Sequence, residues 1–291
     1  MVNSISLDGK IKTCKVHDIV HDFCREKAKK ENLLYVKNRY NTGYVGSYRW
    51  TCFETMYPKF VVPDTFNRSR SLFSFYDDGH MTRGHQMFAN NFKMLRVLNL
   101  SSFSFMKDIP LHIVDLVLLR YLVLRPFKSL RTLPVSKNWN LQTLVLLAKQ
   151  VFSRFPNAKV MGIFMESLHP NCLDNLRVLV NLESLKIKSQ HHSPVLLPSL
   201  EAFPIHLKKL KFKGTLLPWN TMTDVVGMLP NLQVLKLKDG ACQGQEWALT
   251  GAQFHGLKSL LIYGTDLMHW TTTSDDFPGT VEDENKSEEL E

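Results

Sequence analysis

The sequence predicts an α/β solenoid: a curved parallel sheet of stacked short repeats with an irregular convex side, preceded by a helical segment. The first observation behind this is the string L-x-x-L-x-[LIF]. It occurs at Leu95–Leu100, Leu119–Leu124, Leu141–Leu146, Leu182–Ile187, Leu207–Phe212, Leu232–Leu237 and Leu257–Ile262. The starts are 24, 22, 41, 25, 25 and 25 residues apart, which is leucine-rich-repeat spacing with one repeat hidden in the gap of 41. Each unit is a short strand that cannot bury its apolar face alone, so stacking supplies the core. The second observation lies between the strings. Ile109-Pro110 and Leu133-Pro134 pair an apolar residue with a proline, which favours turns over regular helix. The convex side should therefore hold turns and short helical pieces.

Taken in order, residues 15–34 read as a helix, with Val16, Ile19, Val20 and Phe23 at helical spacing. Residues 1–36 form the first unit of the reading. Residues 37–68, rich in Tyr, Asn, Gly and Arg, have no clear period and are expected to be a connector that caps the solenoid. The repeat domain spans 69–270, opening with a degenerate strand at Arg70–Phe75. The hidden strand is expected near Ala158–Phe164. Residues 271–291 are polar and acidic and read as a disordered tail.

Charge is unevenly placed. The chain carries +9 overall, but residues from Asp275 onward hold eight acidic groups and one lysine. The remainder has 35 basic and 19 acidic groups, about +16, which suggests an anionic partner or a tail that folds back. No apolar run approaches the ~18 residues of a membrane span, and the N-terminal residues show no secretory pattern. The five cysteines are scattered and odd in number, which suits free thiols in a reducing compartment. The sequons at Asn67, Asn99 and Asn285 are discounted because no export signal accompanies them.

The sharpest site signal is a ladder of lysines. Side chains alternate along a strand, so the leucines point inward and the intervening residues face the concave side. In three consecutive repeats those positions are Lys186 and Lys188, Lys211 and Lys213, Lys236 and Lys238, with Lys209 as a seventh amine. Strands lie about 4.8 Å apart, so each adjacent pair repels by roughly 0.9 kcal/mol in water before screening. A solvated face that discourages edge pairing is the plain alternative. Register over three repeats favours an anionic surface partner, first an acidic protein surface, then the acidic tail or anionic lipid. Nucleic acid is disfavoured, because no aromatics interleave for stacking and no base-reading helix is present. In the earlier repeats Val97, Tyr121, Val123 and Val145 should make a mostly apolar concave patch suited to a protein contact.

Other constellations are weaker. Cys14, His17, His21 and Cys24 have a zinc-like pattern, but four ligands within eleven residues of one helix cannot easily surround a metal. No nucleophile elbow, paired carboxylates or metal box is visible, so the chain does not read as an enzyme.

Two signatures together resemble plant intracellular immune receptors with a nucleotide-binding (NB-ARC) module and leucine-rich repeats. One is Lys15-Val-His-Asp-Ile-Val-His-Asp-Phe23, similar to the "MHD" motif that ends the winged-helix part of that module, with Val16 in place of methionine. The other is the repeat style of Ile109–Leu122. The valine, the string that follows and the late repeats look most like the late blight resistance proteins of nightshade plants. The resemblance covers residues 9–270. It implies that residues 1–36 end a winged-helix subdomain and that the chain is a C-terminal portion of such a receptor. It also gives His17 a contact with the phosphates of ADP, with Asp18 supporting the turn. No G-x-x-x-x-G-K-[ST] loop is present to cradle phosphates, so ADP is expected only in a full-length receptor and no cofactor is assigned to this chain.

The resulting expectation is recognition and self-inhibition in plant defence. The partners would be the nucleotide-binding module, another acidic surface or a pathogen effector, met in the cytoplasm, at a membrane face or in the nucleus. A repeat scaffold or substrate adaptor is the competing class, although no F-box-like helix precedes the repeats. A truncated receptor without independent function would look the same in sequence.

Overall fold

A computed structural model describes residues 2–5, 11–37, 48–53, 68–74, 92–101, 113, 115–124, 141–146, 155–165, 173–189, 192–249, 251, 253–272 and 280–283. The chain divides into two units: Met1–Met106 with Pro110–Leu119, and Lys107–Ile109 with Arg120–Glu291. It is a leucine-rich-repeat solenoid of parallel strands.

The first unit opens with an antiparallel pair, β1 (Val2–Ile5) and β2 (Ile11–Cys14). Helix α1 (Asp18–Lys30) follows. Its N-cap is His17, whose Nδ1 accepts from the Ile19 amide at 3.3 Å, and Asp18 sits in the first turn where its charge suits the helix dipole. No residue of α1 is buried; Val16, Ile19, Val20 and Phe23, the expected apolar face, are all exposed. Parallel strands come next: β3 (Leu34–Lys37), β4 (Trp50–Phe53), β5 (Ser71–Ser74) and β6 (Val97–Leu100).

Strand β4 lies inside the segment expected to be a connector. Its inward residue is Thr51, in register with Leu72 of β5, which in turn aligns with Leu98 of β6. Thr51 is fully buried and bonds the Ser69 hydroxyl at 2.9 Å, while that hydroxyl donates to Tyr48 O at 3.0 Å. The pair satisfies groups that would otherwise be costly to bury.

The second unit carries the main run of repeats: β7 (Tyr121–Leu124), β8 (Thr143–Leu146), β9 (Val160–Met165), β10 (Ser184–Ser189) and β11 (Lys209–Lys213). The short β12 (Leu217–Pro218) precedes β13 (Val234–Lys238), and β14 (Cys242–Gln243) and β15 (Glu246–Ala248) precede β16 (Ser259–Tyr263). The last elements are β17 (His269–Thr271) and β18 (Thr280–Asp283). The order in the unit's main sheet is β7-β8-β9-β10-β11-β13-β16-β18, each strand parallel to the next. Side sheets β12-β14 and β15-β17 line the connecting segments.

The hidden repeat is β9, with Ala158, Met161 and Ile163 in the leucine positions, all buried. Met161 is in register with Leu144 on one side and Leu185 on the other. Strand β18 lies in the segment expected to be disordered. It pairs with β16 so that Val281 aligns with Leu260 and Glu282 with Leu261.

Between strands the second unit uses short turns. Leu176–Val178 and Leu200–Ala202 are single 3₁₀ turns, and Trp219–Val226 is a brief helical stretch. These segments pack an aromatic stack. Trp247 lies 4.8 Å from Trp219 and 5.4 Å from Trp270, ring to ring, and Phe254 meets it edge-on at 6.0 Å. Its indole N–H donates to Thr223 Oγ1 at 3.0 Å, and the Trp219 N–H donates to Gly244 O at 2.7 Å. Stacked tryptophans of successive repeats thus tie the segments behind β11, β13 and β16 into one layer. Among the described residues no helix is long and apolar enough to cross a membrane.

Candidate protein-binding face

The candidate site is built on β10, β11 and β13. Their inward residues, Leu185 and Ile187, Leu210 and Phe212, Leu235 and Leu237, are each at most 1% exposed. That anchoring fixes the alternation, because a slip of one residue would turn every side chain over. The residues between them are lysines in register. Lys186 pairs with Lys211 and Lys211 with Lys236; Lys188 pairs with Lys213 and Lys213 with Lys238. All six are half-buried, and Lys209 at the start of β11 is exposed. Lysine stems lie on apolar surface while the ammonium stays in water.

Each column has neutral neighbours on both sides. Beside Lys186 stands Gly162 of β9, and beside Lys236 stands Leu261 of β16. The second column is flanked by Phe164 and Tyr263. Lys186 and Lys188 place Nζ 5.3 and 5.7 Å from the Phe164 ring centre, and Lys238 lies 5.5 Å from that of Tyr263. Ring faces attract cations by about 0.5–1 kcal/mol at exposed sites, which offsets part of the repulsion within the ladder. These aromatics flank the candidate face and were missed by sequence reasoning. The signal existed for Tyr263, which stands 25 residues after Lys238, one repeat later in the second column. Phe164 was read as the end of the expected strand, but its place beside Lys188 was not.

Glycines follow β11 and β13 and let the chain turn. Gly214 has φ +65° and its N–H donates to Asp239 O at 3.0 Å; Gly240 has φ +70° and donates to Gly264 O at 2.7 Å. A Cβ at Gly214 would lie 2.8 Å from Ser189 O, so the turn needs glycine for space as well as for conformation. Asp239 is the carboxylate nearest the ladder in these turns, bonded to Lys213 Nζ at 2.5 Å. That hydrogen bond holds its carboxyl below the usual range against partial burial, and the charges of Lys213, Lys238 and Lys211 add to the effect.

The other predicted residues fare differently. Val97 in the first unit is half-buried, as is Tyr121 in the second. Val123 is only 9% exposed, so it adds little to an open apolar patch. A valine reaches less far from the sheet than a lysine and is easily shaded by its neighbours. The side chain of Val145 lies outside the described residues. His17 and Asp18 stand together at the N-terminus of α1, where Nδ1 of His17 is occupied by the cap. Cys14 lies in β2, outside the helix that carries His21 and Cys24, so the zinc-like spacing is not a single-helix arrangement. No group of three or more metal-ligating side chains comes together among the described residues. Burial pushes the Cys242 thiol far up, with the Asp266 charge adding to it, so it is no nucleophile.

No family model matches the chain. Curated relatives do, over 93% of its length. Two of them are putative late blight resistance protein homologs of Solanum demissum, one at 26% identity and the other at 25%. The chain resembles late blight resistance proteins. It spans about a quarter of these relatives, 27% and 26% of their lengths. A chain of the Toll–Spatzle complex of Drosophila overlays on 81% of this chain, and 37% of its own length, with a TM-score of 0.47 and 13% identity.

Proposed function

We propose that the chain is the recognition and self-inhibitory portion of a plant disease-resistance receptor, and that it binds an acidic protein surface through the lysine columns of β10, β11 and β13. The observation that carries this reading is their register: three lysines directly opposite one another in each of two columns, on a buried and therefore rigid scaffold. Like charges opposite each other destabilise a sheet, and a protein surface of the opposite sign would relieve that cost. The relatives' names supply the defence context, and their greater length leaves room for a nucleotide-binding module as the natural partner.

The domain assignment follows the same line. Residues 1–36 would close a winged-helix subdomain, whose remainder would cover the exposed Ile19 and Phe23 of α1. His17 and Asp18 would meet ADP only in that larger assembly. Residues 37–68 would form the connecting cap and 69–270 the repeat domain, and the acidic tail from 271 would lie at the edge beyond β16. The protein would act in the cytoplasm, with no catalytic role.

The test is binding of a separately expressed nucleotide-binding module, taken from a late blight resistance homolog, to the immobilised chain by interferometry. Saturable binding that weakens with salt is the expected result. Absence of binding at low ionic strength would overturn the reading.

A further inference from the structure

A second basic feature lies away from the lysine columns. A shallow surface cavity of about 420 Å³, open to solvent, is lined by Arg120, Gln142, Asn157, Lys159 and Asn181, all exposed and all in the second unit. It is built at the N-terminal ends of β7, β8 and β9. Arg120, Gln142 and Lys159 each immediately precede one of these strands. The Gln142 and Thr143 amides donate to Arg120 O at 2.8 and 2.9 Å, and the Lys159 and Val160 amides donate to Gln142 O at 2.9 and 3.0 Å. The three side chains therefore rise from consecutive rungs, with a cation at each end and an amide between them. Asn157 comes from the turn before β9. Asn181 comes from the turn before β10, where its Nδ2 donates to Pro156 O at 3.2 Å and is thereby oriented.

Among the described residues no carboxylate lines this cavity. The next rung carries Glu183, but Lys208 holds it at 3.3 Å. Among the described residues neither Arg120 nor Lys159 has a carboxylate partner. Two cations two rungs apart, about 9.6 Å at strand spacing, match two separate anionic groups rather than one. A guanidinium fork pairs bidentately with carboxylate and phosphate oxygens alike, but a phosphate brings three acceptor oxygens and up to two charges, more than a carboxylate supplies to a site that also offers amide donors. The amides, which both donate and accept, suit hydroxyls between the anionic groups.

We propose that this cavity binds a phosphorylated polyol, in the form of a sugar carrying a phosphate at each end. The site is independent of the protein-binding reading, since it shares no residue with the lysine columns.

The test is titration calorimetry on the full chain with fructose 1,6-bisphosphate, fructose and inorganic phosphate, plus vesicles bearing phosphatidylinositol bisphosphate. Saturable binding of the sugar bisphosphate, tighter than that of inorganic phosphate and absent for fructose, is expected. Arg120→Gln with Lys159→Gln should weaken it at least tenfold, and Arg120→Lys with Lys159→Arg should retain most of it. Lys211→Gln with Lys236→Gln should leave it unchanged. Binding of vesicles alone, lost in the same double-glutamine variant, would assign the same chemistry to a lipid headgroup and still support the site. Circular dichroism and melting establish that the variants fold; should the double variant fail, each single glutamine variant serves in its place. No saturable binding of any probe would overturn the proposal. So would affinity equal to that of inorganic phosphate, or equal loss in the Lys211 and Lys236 variant.

Discussion

Lys213, the last residue of β11, is bonded to Asp239, the first residue after β13, with Nζ 2.5 Å from Oδ2. The ladder thus carries a built-in counter-charge, placed at its C-terminal margin. The carboxylate occupies one lysine of the second column.

Asp239→Asn tests this pair. Asparagine tolerates the φ of 45° found at this position, so the change removes charge with little strain. A carboxyl whose folded pKa is depressed contributes stability above its unfolded value, and loses it as pH falls through the folded value. The variant should therefore be slightly less stable than the parent at pH 7, by at most about 1 kcal/mol for a partly exposed pair. The gap should begin to close as pH falls past 3.8 and vanish below the folded value, as seen by urea unfolding across pH. The same substitution releases Lys213 and should tighten binding of an acidic partner at pH 7.

Leu210 is 1% exposed at the centre of β11, between Leu185 and Leu235. Leu210→Ala should cost about 2–5 kcal/mol through lost burial and a residual cavity. Chemical denaturation gives the value directly. A variant that unfolds together with the parent would show that the inward column is not the core of this repeat.

His17 and Asp18 are the nucleotide-contact positions implied by the family resemblance, and Nδ1 of His17 already accepts the Ile19 amide. One histidine without a phosphate-cradling loop cannot hold a nucleotide. Calorimetric titration of the chain with ADP should show no tight binding; a dissociation constant near 1 μM, about −8 kcal/mol, would contradict this.

What was legible in the sequence was the part governed by leucine. The strings from Leu95 onward identified their strands and the inward face, because each leucine position recurs once per stacked turn. Strand β9 was inferred from a gap in the repeat and placed near Ala158–Phe164, where it lies. Its core residues, Ala158, Met161 and Ile163, differ in size and start 17 residues after Leu141 instead of the usual 22–25. Strand β4 escaped because its inward residue is Thr51, whose burial depends on a hydroxyl partner 18 residues away. Strand β18 escaped because four residues of an acidic tail gain their order from the edge of β16, which no local pattern encodes. Within the candidate face the lysine register was legible. Asp239 and Phe164 were not, since one is placed by a turn and the other by the hidden repeat.

The central claim is that the lysine register is a binding surface. The most direct measurement compares the parent with Lys186→Glu, Lys211→Glu and Lys236→Glu combined, which reverses the first column and leaves the Lys213–Asp239 pair intact. Binding of the separately expressed nucleotide-binding module is measured at low salt and again above about 0.15 M, where the Debye length falls to about 8 Å. The account predicts salt-sensitive binding by the parent and none by the triple variant, with both melting at the same temperature because the lysines lie outside the core. Unaltered binding by a folded triple variant would contradict it.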